Sequence, residues 1–198
     1  MIAILDYGSG NLRSAQRAFA LTGHEVIVTS DRDICLRSDG LVVPGVGAFG
    51  ACMAQLLGVD GASLIAERVT QGKKIFGICV GMQILFTEGL EKITTAGLGI
   101  WPGSVSAIEA PILPHIGWNT VSPPATSKLF AGIEDQSFYF VHSYAAKIAV
   151  PDSLNTSCQY GESFIAAVET PLVVATQFHP EKSGSAGGQL IKNWAHSL

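Results

Sequence analysis

Short apolar runs alternate with polar, helix-compatible stretches through the first half of the chain. Met1–Leu5 is apolar up to Asp6 and predicts a strand, followed by a glycine-rich turn at Gly8-Ser9-Gly10-Asn11. Leu12–Leu21 predicts a helix, with Gly23 as its stop. Glu25–Val28 and Gly40–Val43 predict the second and third strands, the third running into Pro44-Gly45. A helix is expected over roughly Met53–Gln71. Lys74–Ile78 predicts a fourth strand, with a helix following at once over Val80–Phe86. Strands that are apolar along their length are buried on both faces, so this order predicts a largely parallel sheet with helices on both sides.

The second half changes character. Prolines and glycines are dense from Trp101 to Pro124. Short alternating runs at Ser137–His142, Ser163–Val168 and Val173–Gln177 predict strands, several of them antiparallel, and Gln189–Ala195 predicts a closing helix. The shift near residue 100 reads as a change of topology inside one domain covering residues 1–198. The expected class is α/β, with a flavodoxin-like open mixed sheet. That sheet is mostly parallel, with helices on both faces and antiparallel strands in the C-terminal half.

Composition narrows the function classes. Hydrophobic residues make up 47% and charged residues 14%, a balance that predicts a compact globular chain. The net charge is −4 and no basic run exceeds Lys73-Lys74, so no cationic stripe is present to neutralise nucleic-acid phosphates. No apolar stretch reaches 18 residues, so no membrane span is expected, and MIAILDYG reads as a strand rather than a signal peptide. Cys35, Cys52, Cys79 and Cys158 have irregular spacing and no C-x-x-C pair. Neither a disulfide framework nor a metal site is signalled, and a cytoplasmic location is expected.

One cysteine differs from the rest. In Gly77-Ile78-Cys79-Val80-Gly81 an apolar strand runs into Cys79 and a helix pattern starts behind it. Small residues at −2 and +2 relieve the crowding of a tight strand-to-helix turn, the cysteine form of the nucleophile elbow. Such a turn presents the sulfur at the sheet edge near a helix N-terminus, whose partial positive charge stabilises a thiolate. A thiol nucleophile needs an imidazole and a group to orient it. Of five histidines, His24 and His196 read as solvated, and His115 and His142 lie in aromatic or proline-rich surroundings. His179 stands in Phe178-His179-Pro180-Glu181, where an extended chain would put the imidazole and the Glu181 carboxylate on one side.

Cys79 in G-I-C-V-G-M-Q, with His179 and Glu181 in F-H-P-E, resembles the class I (triad) glutamine amidotransferases. Four further segments, Asp6–Leu12, Pro44–Phe49, Pro114–Asn119 and Tyr139–Tyr144, are similar to the glutaminase subunits of imidazole glycerol phosphate synthases within that family. The likeness runs over essentially the whole chain. It implies hydrolysis of L-glutamine to glutamate and ammonia without a cofactor or metal. It also implies a heterodimer in which a (β/α)8-barrel cyclase subunit receives the ammonia through a channel. That partner would convert the ribonucleotide PRFAR to imidazole glycerol phosphate and AICAR in histidine biosynthesis.

The resemblance also assigns residues. The backbone N–H groups of Val46 and Val80 would form the oxyanion hole, and the Pro44–Gly47 loop would rearrange when the partner's ligand binds. Gly47, Gln83, Ser143 and Tyr144 match positions that hold glutamine. Trp118, Asn119, Tyr139 and Lys182 match positions at the subunit interface. Val80 stands where the family often has leucine, which matters little for a backbone donor. Three other readings keep the fold: the glutaminase of pyridoxal-phosphate synthase, a catalytically silent subunit, and a cysteine peptidase or γ-glutamyl hydrolase. The Asp6–Leu12 turn and Pro44–Gly47 loop weigh against the first, and the intact triad against the second.

Overall fold

A computed structural model describes residues 1–198. In chain order the first half contains β1 (Ile2–Leu5), α1 (Leu12–Ala20), β2 (Val26–Thr29), α2 (Arg32–Arg37), β3 (Gly40–Gly45), α3 (Phe49–Gly58), α4 (Gly61–Thr70), β4 (Lys74–Cys79) and α5 (Val80–Gln83). The second half adds β5 (Phe86–Gly89), β6 (Thr95–Ala96), β7 (Trp101–Ala107), β8 (His115–Thr120), β9 (Ser137–His142) and β10 (Tyr144–Ala146). It ends with β11 (Leu154–Tyr160), β12 (Glu162–Glu169), β13 (Val173–Thr176), a 3-10 turn (Pro180–Lys182) and α6 (Gly184–Ala195).

Seven strands form the main sheet in the order β11-β12-β13-β4-β3-β1-β2. The five from β13 to β2 are parallel, and β12 and β11 add on antiparallel at one edge. The parallel part has the 2-1-3-4-5 order of doubly wound sheets, so the expected class is found. Its strand order reverses between β1 and β3, where ligands bind beyond the carboxyl ends of strands. β1 and β3 are wholly buried, as their apolar runs require. One contiguous core of 52 buried apolar residues holds the layers together. In it Phe19 of α1, Phe76 of β4 and Trp194 of α6 meet edge to face at 5.3–5.8 Å.

Several elements depart from the sequence expectation. The long helix over Met53–Gln71 is two helices meeting at 81°, broken at Asp60 in a left-handed conformation. Gly61 permits the break: a Cβ there would lie 2.4 Å from Leu56 Cδ1. The helix after Cys79 has only four residues, and Phe86 instead pairs with Trp101 in a second sheet, β10-β7-β5-β6. Apolar runs as short as Val80–Phe86 do not distinguish a buried helix from a strand. The Pro- and Gly-dense stretch contains β7 and all of β8, and β8 and β9 form a separate two-stranded ribbon. Helix α6 starts at Gly184, five residues before the expected start. No single helix is long and apolar enough to cross a membrane.

Candidate active site

Cys79 ends β4 and leads directly into α5, with φ 57° and ψ −114°. A positive φ in a side-chain-bearing residue costs roughly 1–3 kcal/mol and is held only where the surroundings fix it. Here backbone packing fixes it. A Cβ on Gly81 would lie 1.9 Å from the Val43 carbonyl oxygen, and one on Gly77 would lie 2.8 Å from the Gly81 oxygen. The elbow therefore rests on the end of β3, and the ladder sets Gly45 opposite Cys79.

His179 follows β13, the neighbour of β4 on the other side. Its Nδ1 lies 2.8 Å from Glu181 Oε1, and both side chains are buried. The expected contact is present, but Pro180–Lys182 is a 3-10 turn rather than an extended chain, so the turn brings the two groups together. Gly187 of α6 packs on that turn, where a Cβ would meet the Pro180 carbonyl oxygen at 1.9 Å. His179 Nε2 has no hydrogen-bond partner and faces the crevice lined by Cys79. Burial works against a charged imidazole, but the nearby Cys79 sulfur and the Glu181 carboxylate outweigh it and raise His179 to about 10. The ring is thus protonated at neutral pH, ready to act as an acid.

Val46 and Gly47 follow β3 and line the same crevice, as does Val80. In this conformation the Val46 N–H is not directed to an oxyanion. It donates to Ser9 Oγ at 3.1 Å, and the same hydroxyl donates to the Val46 carbonyl at 3.2 Å. Ser9 is buried in the turn after β1, beside the Cys52 thiol and Tyr7, whose hydroxyl donates to the Pro44 carbonyl at 2.5 Å. The Val46 N–H belongs to the Gly45–Val46 peptide, and Gly45 has no Cβ to oppose a turn of that plane. Val80 is the first residue of α5, where N–H groups lack intrahelical partners.

The crevice has a volume of about 260 Å³, the scale of a small amino acid. It unites Cys79, His179, Val46, Gly47, Val80, Gln83, Ser143, Tyr144 and Lys182 from the sequence reading. The amide of Gln83 is already engaged: Nε2 donates to the Tyr144 carbonyl at 2.8 Å and to Gln177 Oε1 at 2.9 Å. Sequence reasoning missed Ser9, Gln177 and Glu91. Glu91 lines the crevice and also accepts from the Phe49 N–H that opens α3, at 2.9 Å. Its carboxylate and the Lys182 ammonium complement the two charges of a free amino acid. No local pattern marks Glu91, because it lies in an irregular loop.

The residues expected at an interface divide. Ile116 and Trp118 of β8 are each 58% exposed, and Trp118 meets Tyr139 edge to face at 6.1 Å, with Lys182 Nζ 6.0 Å from the Tyr139 ring. Strand alternation turns Asn119 to the opposite face. Its Nδ2 donates to the Gln159 carbonyl at 3.0 Å and reaches His115 Nε2 at 3.4 Å. Asn119 therefore does not share the outward face of Trp118.

His115 and His142 face each other in the aromatic layer beneath, Nδ1 to Nε2 at 3.0 Å. Burial pushes both down to about 4, so both are neutral at pH 7. Unfolded imidazoles take a proton near 6.5, and the folded pair does not until about 4. Between those values the unfolded chain binds more protons. Stability present above about pH 6.5 is therefore lost as the pH falls toward 4. The expected result is a melting temperature that declines across this window, with a shallower decline in the His115→Phe/His142→Phe double variant. Parallel curves in the two proteins would exclude this pair as a source.

The family described as "Glutamine amidotransferase class-I" matches residues 3–197. The chain is 55% identical to the imidazole glycerol phosphate synthase subunit HisH of Mycobacterium bovis, covering 100% of this chain and 98% of that protein. The subunit of the same name from Nocardia farcinica is 55% identical over 208 residues, again with 100% and 98% covered. Among solved structures, a glutamine amidotransferase superposes with a TM-score of 0.79 at 17% identity, covering 99% and 97% of the two chains. PurLQS from Thermotoga maritima gives 0.69 at 21% identity, covering 99% and 95%. The structural likenesses speak for the fold alone.

Proposed function

The chain belongs to the class-I glutamine amidotransferase family, and from that premise we propose that Cys79, His179 and Glu181 hydrolyse glutamine through a thioester. It is the glutaminase subunit of imidazole glycerol phosphate synthase, an enzyme of histidine biosynthesis. The observation that carries the mechanism is the convergence of the Cys79 elbow and the His179–Glu181 pair on one amino-acid-sized crevice.

In this mechanism the Cys79 thiolate adds to the side-chain amide carbon, and the carbonyl oxygen becomes an oxyanion. The Val80 N–H stabilises it, joined by the Val46 N–H once that peptide has turned away from Ser9. Protonated His179 gives its Nε2 proton to the nitrogen as the C–N bond breaks, so ammonia leaves and a thioester remains. Neutral His179 then takes a proton from water as the water attacks the thioester. Glutamate leaves, and the thiolate and imidazolium are restored. Glu181 holds the Nδ1 proton throughout. Gly47, Gln83, Ser143 and Tyr144 line the glutamine site, with Glu91 toward the α-amino group.

The same proposal takes residues 1–198 as one glutamine amidotransferase domain acting in the cytoplasm. Its partner is a barrel-shaped cyclase subunit that docks on the face of Trp118, Tyr139 and Lys182 and receives the ammonia. The test is glutamate release with and without that subunit and its nucleotide ligand. Stimulation by the partner is expected, and its absence would remove the partner from the proposal.

The Ser9 hydroxyl makes the off state specific. Deleting one hydrogen-bonding partner is worth about 0.5–1.5 kcal/mol, or roughly 2–10-fold in the population of a turned peptide. Ser9→Ala is expected to raise partner-free glutamine hydrolysis by about that factor and to narrow the stimulation ratio. Unchanged basal turnover in a folded Ser9→Ala protein would count against the latch.

A further inference from the structure

Behind Cys79 lies a chain of buried polar groups that the triad does not use. Gln177 is 1% exposed and sits two residues before His179. Its Nε2 lies 3.8 Å from Cys79 Sγ, within hydrogen-bonding range for sulfur. The orientation of this amide is dictated by its neighbours. The Tyr144 carbonyl can only accept, so the Gln83 atom 2.8 Å from it is the amide nitrogen. The second proton on that nitrogen goes to Gln177 at 2.9 Å, which must therefore present its oxygen there. The Gln177 NH2 group is left facing the sulfur.

The same logic extends outward. His142 Nδ1 lies 3.0 Å from the Tyr144 carbonyl and must carry its proton there. A neutral His142 then accepts at Nε2 from His115 Nδ1, and His115 Nε2 accepts from Asn119 Nδ2. Each member has one role consistent with its neighbours, from Asn119 in β8 to the sulfur. Interlocked hydrogen bonds of this kind restrict the orientation of each member.

We propose that Gln177 is a further catalytic residue, whose side-chain amide donates to the Cys79 sulfur and is held in that orientation by Gln83, the Tyr144 carbonyl and His142. A donor to an anionic sulfur favours the thiolate over the thiol, because it interacts more strongly with the charged form. The inference rests on Cys79 being the nucleophile but not on glutamine being the substrate.

The test is the rate of Cys79 carboxamidomethylation by iodoacetamide as a function of pH, read by mass spectrometry of the Cys79 peptide in the full chain. Gln177→Met keeps the length of the side chain and removes the donor. Its rate at pH 7 is expected to fall about tenfold, and the deficit should close at high pH, where the thiolate forms without help. A loss from altered packing would instead slow alkylation equally at every pH. The other charged groups around the crevice, His179, Glu91 and Lys182, are unchanged by the substitution. His142→Phe provides a second variant should Gln177→Met fail to fold; it keeps the aromatic packing and frees one anchor of the relay. A smaller shift of the same form is expected in it. A wild-type profile in folded Gln177→Met overturns the role of Gln177, and a wild-type profile in folded His142→Phe overturns the relay. Glutamate release by the wild type is measured alongside. If that is absent while the Gln177 effect persists, the glutaminase reading fails and this one stands.

Discussion

Cys79→Ser reduces glutamine-dependent turnover by an expected factor on the order of 10⁴–10⁶, the range for loss of a nucleophile. The substitution exchanges one atom and leaves the Cβ in place, so the φ of 57° is no more strained than before. A serine hydroxyl is almost wholly un-ionised at neutral pH, and as a neutral alcohol it attacks an amide far more slowly than a thiolate does. The effect should be confined to amide chemistry. With the cyclase subunit present and an ammonium salt supplied in place of glutamine, synthase turnover is expected to remain within a few-fold of wild type. Glutamine-dependent turnover within tenfold of wild type would rule out a thioester on this residue.

Gly81→Ala is expected to have the largest effect on stability. The new methyl would lie 1.9 Å from the Val43 carbonyl oxygen and 2.9 Å from its carbon. Both atoms belong to β3, which is wholly buried and paired on both sides, so neither can retreat. Overpacking typically costs 1–3 kcal/mol where side chains can shift, and here backbone must move, so a loss of at least about 3 kcal/mol is expected. For a chain of this size that lowers the melting temperature by roughly 6–12 °C. Gly47→Ala is the control. Nothing lies within 4 Å of its Cβ position, so only the positive φ of +86° is penalised. A melting curve for Gly81→Ala that matched that of Gly47→Ala would show the elbow to be looser than its contacts imply.

The elbow was legible because its constraint is local: two small residues at fixed offsets from a cysteine at a strand end. The His179–Glu181 contact was legible from spacing, although the 3-10 turn that makes it was not. The parallel strands also announced themselves, since β1 and β3 are apolar on both faces. What escaped notice depends on partners far along the chain. β5 and β7 are defined by pairing with each other, and the glycines and prolines around β7 masked its alternation. The start of α6 was hidden by Gly187, a poor helix former that is needed because Pro180 packs against it. Ser9 lies 37 residues from the amide it holds and Gln177 lies 98 from the sulfur it approaches, so no window of sequence contains either pair.

The ladder that sets Gly45 opposite Cys79 has a consequence for how any activated state must be observed. Nucleophile and oxyanion loop stand at the ends of adjacent strands in one sheet, so their Cα positions are tied by main-chain pairing. Activation then amounts to rotation of the Gly45–Val46 peptide plane, which carries the Val46 N–H, with little displacement of the trace. Superposed Cα coordinates of resting and active proteins would look alike. The informative signals are the amide nitrogen and proton shifts of Val46 and Gly47, recorded as the partner and its ligand are added.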